Sequence, residues 1–231
     1  MSPLALDKIG ELIRDALAPA FCVQCGEAGG WLCSVCAEQI LFAKEQVCYR
    51  CGRLSEDGKT CSRCRRYTDL SGVMVATHYE AGPVREMVHK LKYEGLTDLA
   101  GILGWILFQG VRQKEWRGWV VVPVPLHASR LAKRGFNQAD LLGRRLTRYL
   151  RLLYQPKILR RVRATETQTE LTRVCRRSNV YRAFLSRTDL KSAKILLIDD
   201  VMTTGATLED AARACRDAGA RSVWAAVIAR G

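Results

Sequence analysis

The sequence predicts an α/β protein in which a doubly wound, mainly parallel sheet follows a small cysteine-rich module. Two observations support this prediction. Four Cys-x-x-Cys pairs lie within residues 22–64. Beyond residue 66, short apolar runs typical of buried strands alternate with longer segments that carry apolar residues at helical spacing. Because 231 residues are enough for one ordinary domain and a small addition, we place the module at residues 1–68 and the α/β domain at residues 69–231.

The apolar pattern predicts the elements in chain order. An amphipathic helix precedes the first cysteine pair, at residues 4–17. A strand begins at Trp119 and is ended by Pro123 and Pro125, since proline cannot donate to a central sheet ladder. The other strands are expected at residues 73–79, 157–162, 195–198 and 222–228. Helices are expected at residues 84–92, 96–111, 137–150 and 208–218.

The two-residue spacers of the cysteine pairs indicate metal binding, because a tight turn across such a spacer directs both sulfurs at one ion. Two pairs are followed by glycine, in CVQCG and CYRCG, which permits the left-handed turn that such a knuckle requires. Two pairs together supply the four thiolates of a structural zinc site, which leaves no coordination position open for a substrate. The eight candidate ligands are Cys22, Cys25, Cys33, Cys36, Cys48, Cys51, Cys61 and Cys64.

The pairing of these cysteines has two alternatives. Sequential pairing joins the first two pairs and then the last two, whereas a cross-brace joins the first pair with the third and the second with the fourth. Sequential pairing is favoured, because shorter loops close at a lower entropic cost. The sequence leaves open whether one zinc ion or two are bound. In either case the metal would stabilise a segment that has few apolar residues for a core.

The positive charge of the protein is concentrated in one part of the chain. The net charge is +14. Residues 1–72 are balanced, with nine Lys or Arg and nine Asp or Glu, whereas residues 130–194 contain eighteen Lys or Arg and four Asp or Glu. Such a concentration favours an anionic ligand, either a polyphosphate or a nucleic acid.

The sequence shows neither a membrane-spanning pattern nor an export signal. No window of about 18 consecutive apolar residues occurs. The N-terminus alternates charged with apolar residues and lacks the basic start and apolar block of a signal peptide. We therefore expect a cytoplasmic protein that does not interact with membranes.

The segment ILLIDDVMTTGATLED, residues 195–210, places two adjacent carboxylates between a buried strand and a helix. In open α/β sheets, ligands bind at the carboxyl ends of the strands. The amides of residues 203–207 at the helix N-terminus would hold a phosphate, and Gly205 lets the backbone approach it closely. Asp199 and Asp200 would accept hydrogen bonds from the two hydroxyls of a ribose attached to that phosphate. The pattern therefore predicts a site for ribose 5-phosphate.

Two other interpretations explain less of this segment. Thr207 and Asp210 resemble a capping box, which accounts for the threonines but not for the paired aspartates. The metal-holding strand of a P-loop ATPase also looks like ILLIDD, but such an enzyme needs a G-x-x-x-x-G-K-[ST] run, and this sequence contains none.

The same segment closely resembles the 5-phosphoribosyl 1-pyrophosphate (PRPP) motif of type I phosphoribosyltransferases, in which four apolar residues precede D-D-x-x-T-T-G-x-T. The resemblance implies that PRPP binds here with Mg²⁺, and that Asp199 and Asp200 are the catalytic carboxylates. The implied PRPP-binding residues are Asp199, Asp200, Val201, Met202, Thr203, Thr204, Gly205, Ala206 and Thr207.

Further blocks narrow the resemblance to the ComF family, phosphoribosyltransferase-like proteins associated with DNA uptake during natural competence. These blocks are LKYEG, VVPVPLH followed by RLAKRGFNQADLLG, and TETQTELTRVCRRSNVYRAF. A cysteine-rich metal module ahead of the transferase domain completes the resemblance. It implies a type I phosphoribosyltransferase-like fold, with single-stranded DNA and the competence machinery as partners.

The resemblance also implies roles for two basic segments. The loop after the strand at Trp119 would bind pyrophosphate, and a non-proline cis peptide is expected near it. The implied pyrophosphate-binding residues are Val124, Pro125, Leu126, His127, Arg130, Lys133 and Arg134. The last block would close over the substrate or bind an acceptor or nucleic acid, through Arg161, Arg163, Gln168, Arg176, Arg177 and Asn179.

Two functional hypotheses follow. The first is an enzyme, a Mg²⁺-dependent phosphoribosyltransferase whose acceptor the sequence does not identify. The second is a binding protein that uses a transferase fold to hold single-stranded DNA during uptake. The intact motif favours a PRPP site, whereas the charge of residues 130–194 favours nucleic acid. The few aromatic residues of that segment form no obvious stacking platform for bases.

Overall fold

The computed structural model describes residues 20–79, 82–163 and 182–231. The helix predicted at residues 4–17 lies outside these ranges. The described α-helices are α1 (Ser34–Glu38), α2 (Ser62–Arg65), α3 (Pro83–Tyr93), α4 (Leu99–Val111), α5 (Ala128–Arg134), α6 (Gln138–Leu150) and α7 (Ala206–Asp217). The described strands are β1 (Gly72–His78), β2 (Trp119–Pro123), β3 (Leu153–Tyr154), β4 (Leu159–Arg161), β5 (Phe184–Ser186), β6 (Lys194–Met202) and β7 (Ser222–Arg230).

Five parallel strands form one sheet in the order β1-β7-β6-β2-β3. Helices α3, α4 and α6 cover one face, and their buried residues include Met87, Leu103 and Leu142. Helix α7 covers the other face and buries Leu208 and Ala212 there. Helices on both faces of a parallel sheet confirm the predicted doubly wound α/β fold. Within the described ranges, no helix is long and apolar enough to cross a membrane.

Strand β6 lies in the middle of the sheet because its residues 195–198 are apolar and completely buried. It pairs with β2 on one side and with β7 on the other. Pairing with β7 continues as far as Met202, so the strand is longer than the predicted residues 195–198. Strand β7 supplies the backbone partners that outweigh the low strand propensity of Asp199 and Asp200.

Other predicted boundaries also need correction. Helix α4 begins at Leu99 rather than at residue 96, because the Leu99 N–H closes a turn onto the Leu96 carbonyl (3.2 Å). The strand predicted at residues 157–162 is only three residues long, and it pairs antiparallel with β5 in a separate two-stranded sheet. Helix α5 and strand β3 were not expected, since elements of seven and two residues are too short to give a clear apolar period.

The cysteine-rich segment packs along the outer edge of β1. Phe42 and Lys59 form isolated bridges to opposite ends of that strand. Between them, the Gln46 side chain accepts a hydrogen bond from the Val75 N–H (3.0 Å) and donates one to the Val75 carbonyl (2.9 Å). These contacts occupy backbone groups that an edge strand otherwise leaves unpaired.

Helix α4 approaches strand β1 closely at Gly110. A Cβ atom added there would lie 2.4 Å from the Ala76 Cα atom, so the backbone would have to move. We predict that Gly110→Ala lowers the free energy of unfolding by about 1–3 kcal/mol. Gly101 in the same helix has no atom within 4 Å of an added Cβ, so Gly101→Ala should be neutral or stabilise by up to about 1 kcal/mol. Denaturant unfolding measures both changes, and equal effects would contradict this packing.

Candidate phosphate-binding site and metal centres

The eight paired cysteines form two clusters. The first cluster is Cys22, Cys25, Cys33 and Cys36, and the second cluster is Cys48, Cys51, Cys61 and Cys64. Within each cluster the Sγ atoms lie within 4.8 Å of one another. The clusters join the first two pairs and the last two pairs, so sequential pairing is confirmed and the cross-brace alternative is wrong.

In each cluster the backbone stabilises the thiolate of the first cysteine. In the second cluster, the Cys48 N–H donates to the Arg53 carbonyl (2.8 Å) and the Gly52 N–H donates to the Cys48 carbonyl (2.8 Å). Burial raises the pKa of Cys48, but hydrogen bonds from backbone N–H groups have a larger, opposite effect and leave the pKa at about 6, below its ordinary value. The pKa of Cys22 in the first cluster is lowered to about 6 for the same reasons. Burial and the neighbouring thiols raise the pKa of Cys36 and Cys64, the last cysteine of each cluster. Four converging sulfurs, one of them readily ionised, fit a structural Zn²⁺ ion in each cluster.

The 203–207 loop follows the carboxyl end of β6 and includes the first two residues of α7. Gly205 adopts a left-handed conformation (φ 81°), and the helix begins at the next residue. Thr203 is exposed, and Thr204 and Thr207 are half-buried, so all three side chains are accessible at this edge of the sheet. The sequence thus builds the predicted arrangement of a strand, a tight loop and a helix N-terminus.

Asp199 and Asp200 have different partners, because successive strand residues face opposite sides of a sheet. The Asp200 carboxylate is buried and lies 2.9 Å from the Lys92 Nζ atom of α3. Asp199 is half-buried, and its carboxylate accepts a hydrogen bond from the Asp200 N–H (2.9 Å). The sequence analysis assigned no role to Lys92. The available signal was the LKYEG block, residues 91–95, which contains this lysine.

Burial and charge shape the ionisation of this group. Burial raises the pKa of Asp199 to about 7, and the neighbouring Asp200 adds to that rise, whereas Lys92 and Arg161 oppose it. Burial lowers the pKa of Lys92, but the attraction of Asp200 outweighs this effect and leaves it above its ordinary value. A carboxyl group with a pKa near neutrality is typical of functional sites.

Residues 124–127 leave the sheet at the same edge as the 203–207 loop, because β2 and β6 are parallel neighbours and the last β2 residue, Pro123, pairs with Ile198. The Val124 N–H donates to the Ile198 carbonyl (2.9 Å), and the Asn137 side chain donates to the Val124 carbonyl (3.0 Å). His127 caps α5, with its Nδ1 atom 3.3 Å from the Ser129 N–H. All peptide bonds in the described ranges are trans, so the expected cis peptide is wrong.

The predicted cationic residues are only partly brought together. Arg134 donates to the Gln138 side chain (2.6 Å), and Lys133 is exposed on the same short helix. Arg161 is half-buried, and burial together with the charge of Arg130 lowers its pKa, while Asp199 acts in the opposite direction. Arg163 is exposed at the end of the described segment. The remaining predicted residues lie outside the described ranges, namely Gln168, Arg176, Arg177 and Asn179.

Asp210, which was considered only as part of a capping box, has a structural role. Its buried carboxylate accepts hydrogen bonds from the backbone N–H groups of Arg182 (2.8 Å) and Phe184 (2.9 Å), and from Arg213 Nε (3.0 Å). It therefore fixes the start of β5 to α7.

Comparison with known proteins identifies the family. A double zinc ribbon domain model matches residues 13–65, and a phosphoribosyl transferase domain model matches residues 96–231, more than half of the chain. Competence protein F of Haemophilus influenzae is 30% identical over 208 residues, which are 86% of this chain and 90% of that protein. DNA utilization protein YhgH of Escherichia coli O157:H7 is 31% identical over 202 residues, which are 84% of this chain and 88% of that protein.

The chain belongs to the ComF family.

Family membership confirms the expected combination of an N-terminal zinc ribbon and a phosphoribosyltransferase-type α/β domain in this ComF protein. Among solved structures, a glutamine PRPP amidotransferase from B. subtilis complexed with ADP and GMP matches with 17% identity and a TM-score of 0.37. That match covers 55% of this chain and 25% of the amidotransferase, so the ComF chain spans only a quarter of that protein.

The two clusters predict the metal content of the ComF protein. We expect about two equivalents of zinc per chain, and about one equivalent after Cys48→Ser is combined with Cys51→Ser, because only the second cluster loses ligands. Elemental analysis together with thiol titration measures both values. Less than about half an equivalent in the parent, with all eight thiols free, would contradict this assignment.

The raised pKa of Asp199 predicts a pH-dependent effect on stability. The ordinary pKa of an aspartate is 3.8, so the native state loses stability as the pH rises from about 4 to about 7 and the half-buried carboxyl group ionises. Asp199→Asn removes this titration. We expect the variant to be more stable than the parent by about 1–3 kcal/mol at pH 8 and nearly equal to it at pH 4. Denaturant unfolding at the two pH values measures this, and a difference that does not change with pH would contradict it.

Proposed function

We propose that this protein binds PRPP with Mg²⁺ at the carboxyl edge of its sheet and transfers the phosphoribosyl group to an acceptor, as a type I phosphoribosyltransferase. One observation carries the proposal: the 203–207 loop, Asp199 and residues 124–127 all lie at the carboxyl ends of the adjacent parallel strands β6 and β2. PRPP consists of a 5-phosphate, a ribose diol and a pyrophosphate, and this edge offers one group of residues for each part.

The 5-phosphate and the ribose are held by the residues that follow β6. The amides of the 203–207 loop, with the hydroxyls of Thr204 and Thr207, bind the phosphate at the positive end of α7. Asp199 in its ionised form accepts hydrogen bonds from the ribose hydroxyls, and such bonds are strong because the acceptor is then charged. Lys92 holds Asp200 from the opposite face of the sheet and fixes the end of the strand.

The pyrophosphate is held by residues 124–127 and by the cations of α5, namely Arg130, Lys133 and Arg134. Transfer breaks the bond between the anomeric carbon and the pyrophosphate oxygen through a state with oxocarbenium character. Stabilising the negative charge of the leaving group therefore contributes more than a strong base does. Mg²⁺, when bound, would neutralise part of the pyrophosphate charge. The half-buried Asp199 carboxylate is the type of oxygen ligand that this ion prefers.

The names of the relatives support a biological role. One is a competence protein and another is a DNA utilization protein. We propose that this protein serves DNA uptake from the cytoplasm, with the competence machinery as its partner. We also propose that the zinc module and the transferase domain divide between residues 68 and 69, a division supported by the matched zinc ribbon at residues 13–65 and by the start of β1 at Gly72.

A second candidate function is the binding of single-stranded DNA without catalysis. The observation that favours it is the charge of residues 130–194, with eighteen Lys or Arg against four Asp or Glu. On α6 the exposed cations are Arg144, Arg145 and Arg148. Binding of this type is directed at phosphates, depends weakly on base sequence and weakens steeply with added salt.

The same double variant tests both candidates. We predict that Asp199→Asn combined with Asp200→Asn weakens PRPP binding by at least about tenfold, because the ribose hydroxyls lose the charged Asp199 acceptor and the end of β6 loses the ion pair of Asp200 with Lys92. Binding of single-stranded DNA should stay constant or become tighter, because the variant removes two negative charges. Isothermal titration with PRPP and Mg²⁺, and with an oligonucleotide, measures the two affinities.

A matched control changes the net charge equally at exposed positions of the zinc module. Glu27→Gln combined with Glu38→Gln should keep the affinity for PRPP. If the parent does not bind PRPP in the presence of Mg²⁺, the transferase proposal fails and the DNA-binding candidate takes its place.

A further inference from the structure

Tyr49, in the knuckle of the second cluster, lies against the 203–207 loop. Its side chain is 5% exposed and shares an apolar cluster with Met202 and Leu208, which flank that loop. A Cβ atom added at Gly205 would lie 3.4 Å from the Tyr49 Cδ2 atom. The tyrosine ring therefore packs directly on the glycine that turns the strand into the helix.

Glu209 connects the same knuckle to the first turn of α7. Its carboxylate accepts hydrogen bonds from the hydroxyls of Tyr49 and Thr68 (2.7 Å for Thr68), and Arg50 Nη1 lies 3.4 Å away. The two hydroxyl oxygens also contact each other, while each donates its single proton to Glu209. The Glu209 N–H donates to the Gly205 carbonyl (2.9 Å). Glu209 thus connects two parts of the protein. Its side chain bonds to the knuckle, and its backbone N–H bonds to the loop glycine, Gly205.

The charge of Glu209 matters for an anionic ligand. The amino end of a helix attracts anions, and a free carboxylate in the first turn would compete with a phosphate for it. Here the carboxylate is engaged by three groups of the zinc module, namely Tyr49, Arg50 and Thr68. These partners hold the competing charge on the side of α7 that faces the zinc module.

We propose that Tyr49 is a positioning residue, which holds the 203–207 loop in its ligand-binding conformation and couples the second cluster to the PRPP site. The first cluster differs in this respect. Its knuckle carries Val23 at the position of Tyr49, and that side chain packs with the core of the opposite face of the sheet. The coupling between the second cluster and the loop does not depend on which ligand binds. Only the identification of that ligand as PRPP rests on the proposed function.

Hydrogen–deuterium exchange of peptides from residues 203–212 tests the coupling without a ligand. We expect Tyr49→Phe to accelerate exchange there about five- to tenfold, because it removes the hydroxyl that bonds Glu209 while the ring stays in place. Tyr154→Phe is the matched control, since the Tyr154 hydroxyl also donates to a carboxylate, Asp140 Oδ1 at 2.6 Å, but in β3 at the far edge of the sheet. Equal exchange of residues 203–212 in the two variants would overturn the proposal.

The two clusters provide a second comparison. Cys51 and Cys61 correspond to Cys25 and Cys33 in exposure and in their Sγ separation of 3.7 Å. We expect Cys51→Ser with Cys61→Ser to accelerate exchange of residues 203–212 at least about fivefold more than Cys25→Ser with Cys33→Ser. Equal acceleration would mean that the loop responds to any loss of zinc, and would overturn the special role of the second cluster.

Titration with PRPP separates this inference from the proposed function. We expect Tyr49→Phe to weaken PRPP binding about three- to tenfold while the zinc content stays the same. If the parent does not bind PRPP, the proposed function fails, and the exchange data still decide whether the knuckle and the loop are coupled. If the parent binds PRPP and Tyr49→Phe binds it equally well, the positioning role is wrong.

Discussion

The pairing of β6 with a parallel neighbour on each side is the constraint on which the rest of the structure depends. Because parallel strands end at one edge, this pairing places the 203–207 loop and residues 124–127, about eighty positions apart in the chain, at the same edge of the sheet. Residues 195–198 are apolar on both faces, so burial alone fixes the register weakly. A slip by one residue would carry Asp200 away from Lys92, and the ion pair between them therefore favours the observed register.

Short sequence patterns predicted those features that depend on residues close together in the chain. The apolar residues of β6 and the spacing of the cysteine pairs were sufficient for the sheet, the position of the loop and the membership of the two clusters. Lys92 and Tyr49 could not be assigned roles in this way, because each acts through a partner more than a hundred residues away in the chain. The end of β6 was missed for a similar reason, since the pairing of Met202 depends on β7 and not on its own propensity.

The candidate site lowers the stability of the fold. Asp199 is a half-buried carboxyl group beside a second carboxylate. Both features disfavour its ionised form, and its pKa is raised as a result. The two aspartates have different surroundings because they lie on opposite faces of the strand. Asp200 is tied to α3 through Lys92, whereas Asp199 is only half-buried at the carboxyl edge of the sheet. A carboxylate that can exchange protons near neutral pH is thus retained next to one that is held in an ion pair.

The contacts along β1 bear on the association of the protein with itself. The far edge of the sheet, β3, is only two residues long, and the near edge is covered by Gln46 and its neighbours from the cysteine-rich segment. Neither edge therefore offers a long template for another chain. Strand β1 has the sequence GVMVATH, which contains no acidic residue, lysine, arginine or proline. If loss of zinc loosens the covering segment, this edge becomes available for intermolecular strand pairing, and the metal-free protein is expected to aggregate while its α/β core is still folded.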